Sequence, residues 1–97
     1  MKSIGIVIPA YNENENIIKL LKNIRKKSNC LIIIVDDSAN LNTKKVLIKY
    51  KFKNVKYFNR GKKSGRGSAV LFGFKKLIKL KKKINCFIEM DADMSHS

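Results

Sequence analysis

Leu31-Ile32-Ile33-Ile34-Val35-Asp36-Asp37 is the stretch that decides how this chain folds. Five consecutive apolar residues do not suit a strand with one wet face; they suit a strand covered on both sides, as in a parallel sheet with helices above and below. The run then ends in two carboxylates. Upstream, Ile17, Ile18, Leu20, Leu21 and Ile24 recur at helical spacing behind an apolar run from Ile4 to Pro9, and Asn12 with Glu15 fits a capping-box-like start. Downstream, Asn42 or Thr43 can cap a short helix carrying Val46, Leu47 and Tyr50 on one face. Val55 to Phe58 reads as a third strand and Arg60 to Gly67 as a basic, glycine-containing loop. Val70, Leu71, Phe74, Leu77 and Ile78 form the stripe of a third helix, and Ile84 to Met90 closes as a fourth strand. The expected class is α/β: a Rossmann-like parallel sheet built by β-α-β-α-β-α-β alternation with right-handed crossovers.

At 97 residues and 44% hydrophobic content the chain fits one folded domain with a single core, with no linker, low-complexity tract or sequence repeat. Its apolar runs fall short of the roughly 18–20 residues that cross a bilayer, and the start of the chain lacks the cleavage site of a secretory signal. Cys30 and Cys86 have no CxxC spacing and read as small hydrophobes in a reducing cytoplasm. The formal charge of +15 could signal a nucleic-acid or anionic-membrane partner. However, 19 of the 22 basic residues are lysines, accompanied by 13 isoleucines and 10 asparagines, a trio that A+T-rich coding favours. Solvated faces therefore account for most of the charge, no nucleic-acid-binding signature appears, and no nucleic-acid partner is expected.

The seven acids are Glu13, Glu15, Asp36, Asp37, Glu89, Asp91 and Asp93, and none falls in the 51 positions from Ser38 to Ile88. In the expected sheet, Tyr11-Asn12-Glu13, Asp36-Asp37, the Arg60–Gly67 loop and Asp91-Ala92-Asp93 follow successive strands and share one rim. The carboxyl ends of parallel strands are where ligands bind in open α/β sheets. Helix capping accounts for some of these polar residues, but Asp91 and Asp93 precede no visible helix. Aspartates at i and i+2 of an extended segment point the same way, about 6–7 Å apart, a spacing that a divalent ion can bridge. Their hard oxygens suit Mg²⁺ or Mn²⁺. Gly65-Arg66-Gly67, with Lys62 and Lys63 beside it, can offer N–H groups and cations to a phosphate. It lacks the third glycine of a dinucleotide fingerprint and follows the wrong strand, which excludes NAD or FAD. The lone His96 carries no assignment.

Together, Ile8-Pro9-Ala10-Tyr11-Asn12-Glu13, Ile34-Val35-Asp36-Asp37-Ser38, Lys63-Ser64-Gly65-Arg66-Gly67-Ser68-Ala69 and Glu89-Met90-Asp91-Ala92-Asp93-Met94-Ser95-His96 resemble, in order and spacing, family 2 glycosyltransferases. The nearest branch is that of the dolichol- and polyprenyl-phosphate mannosyl- and glucosyltransferases. The resemblance implies a GT-A fold of which residues 1–97 form the N-terminal nucleotide-sugar-binding part, cut off after the DxD motif. It implies inverting transfer of a hexose from a donor of the GDP-mannose or UDP-glucose type to a polyprenyl phosphate, dolichyl phosphate or glycan acceptor. Pro9, Tyr11, Glu13, Val35 and Asp37 correspond to the nucleoside pocket. Asp91, Ala92 and Asp93 correspond to the diphosphate site, where Asp91 and Asp93 hold Mg²⁺ or Mn²⁺ and do the catalytic work. The family's acceptor-binding segments lie beyond this stretch and would come from a C-terminal half or a partner chain, with peripheral contact at the cytoplasmic membrane face. A truncated, non-catalytic nucleotide-binding module is the first alternative, and a basic nucleic-acid-binding domain the second.

Overall fold

A computed structural model describes residues 3–12, 14–80 and 83–92, all but the side chain of Asn14. Strands and helices alternate from end to end: β1 (Ile4–Ala10), α1 (Asn14–Lys27), β2 (Leu31–Asp36), α2 (Asn42–Tyr50), β3 (Val55–Asn59), α3 (Arg66–Leu80) and β4 (Cys86–Glu89). The four strands make one parallel sheet in the order β3-β2-β1-β4. The α/β class, the parallel sheet and the alternation are as the sequence predicts. No helix among the described residues is long and apolar enough to cross a membrane.

The apolar run of β2 is explained by helices on both faces. Ile32 and Ile34, with Ile6 and Ile8 of β1, pack against Ile17, Leu21 and Ile24 of α1, with Val46 and Leu47 of α2 at the margin. Ile33 and Val35, with Val7, face the other way, onto Ala69 and Leu77 of α3. Ile32, Ile33, Ile34 and Val35 are all fully buried, so neither face of β2 meets water. All five apolar positions expected on α1 are likewise buried.

Local details differ from the expected ones. Helix α1 begins at Asn14, and Asn12, at φ 55°, gives its N–H to Ser38 Oγ at 2.7 Å instead of standing directly before the helix. Neither Asn42 nor Thr43 caps α2: the cap position is Leu41, which makes no side-chain cap bond, and Thr43 Oγ1 is buried without a hydrogen-bond partner. Asn40 supplies the missing acceptor from outside the helix, its Oδ1 receiving the Asn42 N–H at 3.0 Å. Tyr50 is exposed and stacks on Phe52 with ring centroids 6.0 Å apart. Arg25 secures the end of α1 by donating to the carbonyls of Ser28, Cys30, Lys53 and Asn54, which ties α1 to the turns that lead into β2 and β3.

Helix α3 turns to the sheet a stripe rotated from the expected one: Leu77 and Phe74 keep their places against the core, and Leu71 and Ile78 do not. Ala69, Gly73 and Leu77 are buried, whereas Leu71 and Ile78 are more than half exposed. The small residues win because the helix lies almost on the strands: a Cβ on Gly73 would come within 2.4 Å of Val7 Cγ1. Val7 is buried and β-branched, so it cannot swing clear. Gly73→Ala is therefore expected to lower the unfolding free energy by about 1–3 kcal/mol through overpacking. Gly67→Ala, where a Cβ meets nothing within 4 Å, should be neutral or slightly stabilising. Urea unfolding followed by circular dichroism measures both, and equal stabilities would refute the close-contact account.

Candidate functional site

The path of the chain creates the site. From β1 it steps to β2 and β3 on one side through α1 and α2, then returns over the opposite face through α3 to place β4 on the other side of β1. The connections made by α1 and α3 thus leave the β1–β4 boundary over opposite faces of the sheet, and that boundary is the expected ligand position of such sheets. A cleft of about 180 Å³ lies there. Pro9, Ala10 and Tyr11 from the end of β1 form one wall, Lys63, Gly65, Arg66 and Ala69 from the start of α3 another, and Asp37, Asp91 and Ala92 complete the lining. Its volume is below the roughly 300–1,000 Å³ of ordinary ligand pockets, so the described residues alone do not enclose a nucleotide sugar.

The two aspartates after β2 divide the work because successive residues of an extended chain point opposite ways. Asp36 is wholly buried and structural. It accepts from Tyr57 Oη at 2.5 Å, Ser38 Oγ at 2.5 Å and Ser38 N at 3.0 Å, joining β2 to β3 and to the loop that follows it. Burial, and then the bond to Asp36, push the Tyr57 phenol up to about 12. Asp37 reaches the cleft instead and is gripped by Arg60 through two parallel bonds, Nε to Oδ1 at 2.7 Å and Nη2 to Oδ2 at 2.8 Å. Ser64 N adds a third bond at 3.2 Å. Burial alone would raise the Asp37 carboxyl, but the Arg60 bonds, the Ser64 N–H and the guanidinium charge outweigh it and hold the group below the usual carboxylate range. Arg60 extends the brace to α3 by donating from Nη1 to Ser68 Oγ at 2.8 Å.

The basic wall has its own order. Gly65, at φ 95°, turns the chain into α3, a conformation that side-chain-bearing residues rarely take. Lys63 Nζ lies 5.3 Å from the centre of the Tyr11 ring, so a cation and an aromatic face meet at the mouth. Arg66, the first residue of α3, sends Nη2 across to both Glu89 Oε2 and Asp91 Oδ1. A positive group thus sits between two carboxylates at the end of β4. These are hard oxygen donors of the kind Mg²⁺ and Mn²⁺ prefer, and their convergence on one cation fits a divalent ion. Among the described residues, however, no group of three possible ligands converges.

Of the residues expected at the site, Pro9, Tyr11, Asp37, Asp91 and Ala92 line the cleft. Val35 does not; its side chain lies in the core beneath α3 with Val7 and Ile33. Glu13, Asp93 and His96 lie outside the described residues. The basic glycine loop stands out in the sequence, but what Arg60 and Arg66 do does not, nor does Glu89 as a partner at the end of β4. Their signal was faint but present: the chain has only three arginines among 22 basic residues, and two of them flank this loop.

The sequence profile described as glycosyl transferase family 2 matches residues 5–97. The chain belongs to that family. A dolichol-phosphate mannosyltransferase of Pyrococcus furiosus is 35% identical over 100 residues, covering 96% of this chain and 26% of the relative. An uncharacterized protein of Methanocaldococcus jannaschii is 33% identical over 93 residues, covering 93% of this chain and 40% of its own. The chain thus spans less than half the length of these curated relatives. Among solved structures, 4-diphosphocytidyl-2C-methyl-D-erythritol synthase superposes with a TM-score of 0.69 at 16% identity over 95% of this chain and 47% of that one, a likeness of fold.

In this family 2 chain the Asp37–Arg60 brace yields a signed pH effect. A carboxyl whose folded pKa is depressed stabilises the fold above its unfolded pKa, near 4, and loses that contribution as pH falls through the lower folded value. Arg60→Ala leaves Asp37 buried with its burial penalty largely uncompensated and should cost about 1–3 kcal/mol near neutrality. The deficit should shrink as the pH falls from neutrality to below the depressed folded pKa of Asp37, where the carboxyl carries a proton in both proteins. Urea midpoints at the two pH values test this, and a deficit independent of pH would contradict it.

Proposed function

We propose that residues 1–97 form the donor-binding part of a metal-dependent glycosyltransferase that uses a nucleoside diphosphate hexose of the GDP-mannose or UDP-glucose type. The observation that carries this reading is the convergence of the Asp91 and Glu89 carboxylates on a single cation at the crevice between β1 and β4, facing the first turn of α3. A nucleoside diphosphate needs such a composite site: an apolar wall for the base and positive groups for the phosphates, with acid oxygens to hold a counter-ion. Pro9 and the Tyr11 ring supply the wall. Lys63 and the N–H groups that open α3 supply positive potential, which helix N-termini direct at anions. Asp37 lines this pocket while its oxygens hold Arg60, so its part is to fix the wall and the α3 entry in place.

Asp91, with Asp93 beside it in sequence, would hold Mg²⁺ or Mn²⁺, which when bound neutralises the charge that develops on the departing diphosphate. By likeness to the mannosyltransferase relative, the acceptor is a dolichyl or other polyprenyl phosphate, with a glycan as the other option. Such an acceptor is already ionised and needs little general-base help to attack. The residues that would bind it belong to a C-terminal half or a partner chain, and a lipid acceptor brings the assembly to the cytoplasmic membrane face. A nucleotide-binding module without transfer is the second reading, favoured by the small volume of the cleft. It differs in giving no sugar transfer when the acceptor-binding half is supplied.

Titration of the folded chain with GDP and UDP, in Mn²⁺ or in EDTA, tests the donor site. Binding should require the metal, and Asp91→Ala should weaken it about tenfold or more, roughly 1.4 kcal/mol or above. Binding that survives EDTA unchanged, or a folded chain that takes neither nucleotide, would refute the reading.

A further inference from the structure

Arg66 holds the most consequential contact outside the roles assigned so far. It opens α3, it lines the cleft, and its Nη2 bridges Glu89 and Asp91. Its side chain is about half exposed (52%), with Glu89 and Asp91 at 35% and 31%, so the guanidinium is pinned by charge and not by packing. The exposed half of the side chain leaves the guanidinium free to swing away from the carboxylates. Two carboxylates so close repel each other unless a cation lies between them. Arg66 is that cation.

We infer that Arg66 is an internal competitor of the divalent ion, occupying the Asp91 carboxylate until the metal displaces it and then turning to the diphosphate. This deepens the reading of the cleft as a metal and nucleotide site and rests on it. The metal and the guanidinium want the same oxygen, Asp91 Oδ1, and cannot both have it at contact distance. A displaced guanidinium stays tethered to the first turn of α3, beside Lys63 and the helix N–H groups, on the side where a phosphate would lie. Arginine suits both posts because its planar fork pairs with carboxylate and phosphate alike. The residue thus opposes metal binding in the empty site and favours nucleotide binding in the metal-loaded one. A residue that merely supported the fold would not act in opposite directions on two ligands.

The test uses the whole chain and Mn²⁺, whose free concentration is read by electron paramagnetic resonance. Arg66→Met should bind Mn²⁺ alone roughly two- to tenfold more tightly than wild type, the range that two half-exposed ion pairs can contribute. Arg66→Lys, which keeps the charge, should stay near wild type, and Asp91→Asn should lose the ion. In saturating Mn²⁺, Arg66→Met should bind GDP or UDP more weakly than wild type by isothermal calorimetry. Circular dichroism confirms that each variant is folded. Mn²⁺ bound equally or less tightly by Arg66→Met overturns the competition, and undiminished nucleotide affinity overturns the second post. Absence of Mn²⁺ binding in every form, Arg66→Met included, overturns the metal reading of the cleft together with this inference.

Discussion

The two-bond clasp between Asp37 and Arg60 is the constraint on which the rest of the site depends. It links the end of β2 to the loop after β3, and through Ser68 it reaches the first turn of α3. Without it the Arg60–Gly67 loop would keep the Lys63–Tyr11 contact and the Arg66 ion pairs but lose its side-chain tie to the end of β2. The clasp lies at the sheet's rim, where its low exposure makes each bond stronger than the same bond in water. Asp36 does the complementary task on the inner side, binding Tyr57 and Ser38. Ser38 in turn receives Asn12 N, so the loops after β1 and β2 are joined as well. A chain of polar contacts thus runs from the end of β1 to the start of α3, with only one charged pair in it.

The division of labour between arginine and lysine explains why so strongly basic a chain is not simply a polycation. Each of the three arginines makes several directed bonds: Arg25 closes α1 on four carbonyls, Arg60 holds Asp37, and Arg66 bridges Glu89 and Asp91. The described lysines, Lys76 excepted, are exposed. Several lay an ammonium over a ring, as Lys22 does on Tyr50 and Lys76 on Phe58 and Phe72. A fork of five donors serves where geometry matters; a hydrated point charge suffices where it does not. The sequence excess of lysine therefore speaks of solvation, and the acids remain free to be matched by the few arginines.

How much of this could be read beforehand depended on what kind of signal each feature leaves. The run from Leu31 to Val35 announces its burial because no other environment tolerates five such residues, and α1 shows its stripe because five large apolar groups all face one way. Helix α3 hides its orientation: Leu71 and Ile78 are larger than Ala69 and Gly73, so pattern reading favours them, although depth of approach to Val7 decides the packing. At the site, Asp37 and Asp91 were legible because acids are scarce and sit at strand ends. That Val35 belongs to the core, that Asn40 and not Asn42 serves α2, and that Arg66 bridges Glu89 and Asp91 are facts of direction and distance, which residue types and spacing do not encode.

Helix α3 also makes the two sides of the sheet unequal. At β1 and β2 the strands are covered on both faces, and the fully buried residues concentrate there. Toward β4 the cover thins: Phe87 is exposed, Leu71 and Ile78 stand out from α3, and β4 itself alternates between half-buried and exposed positions. The Phe74–Phe87 edge contact, with ring centroids 5.4 Å apart, is what holds that margin to the helix. Asp91 and Glu89 therefore hang from an edge strand that has no buried residue. Local stability follows burial, so this strand and the acids it carries should open before β1 and β2 do. The electrostatic grip of Arg66 consequently does more than neutralise two carboxylates: it ties this edge strand to the first turn of a helix whose other end is anchored by Leu77 in the core.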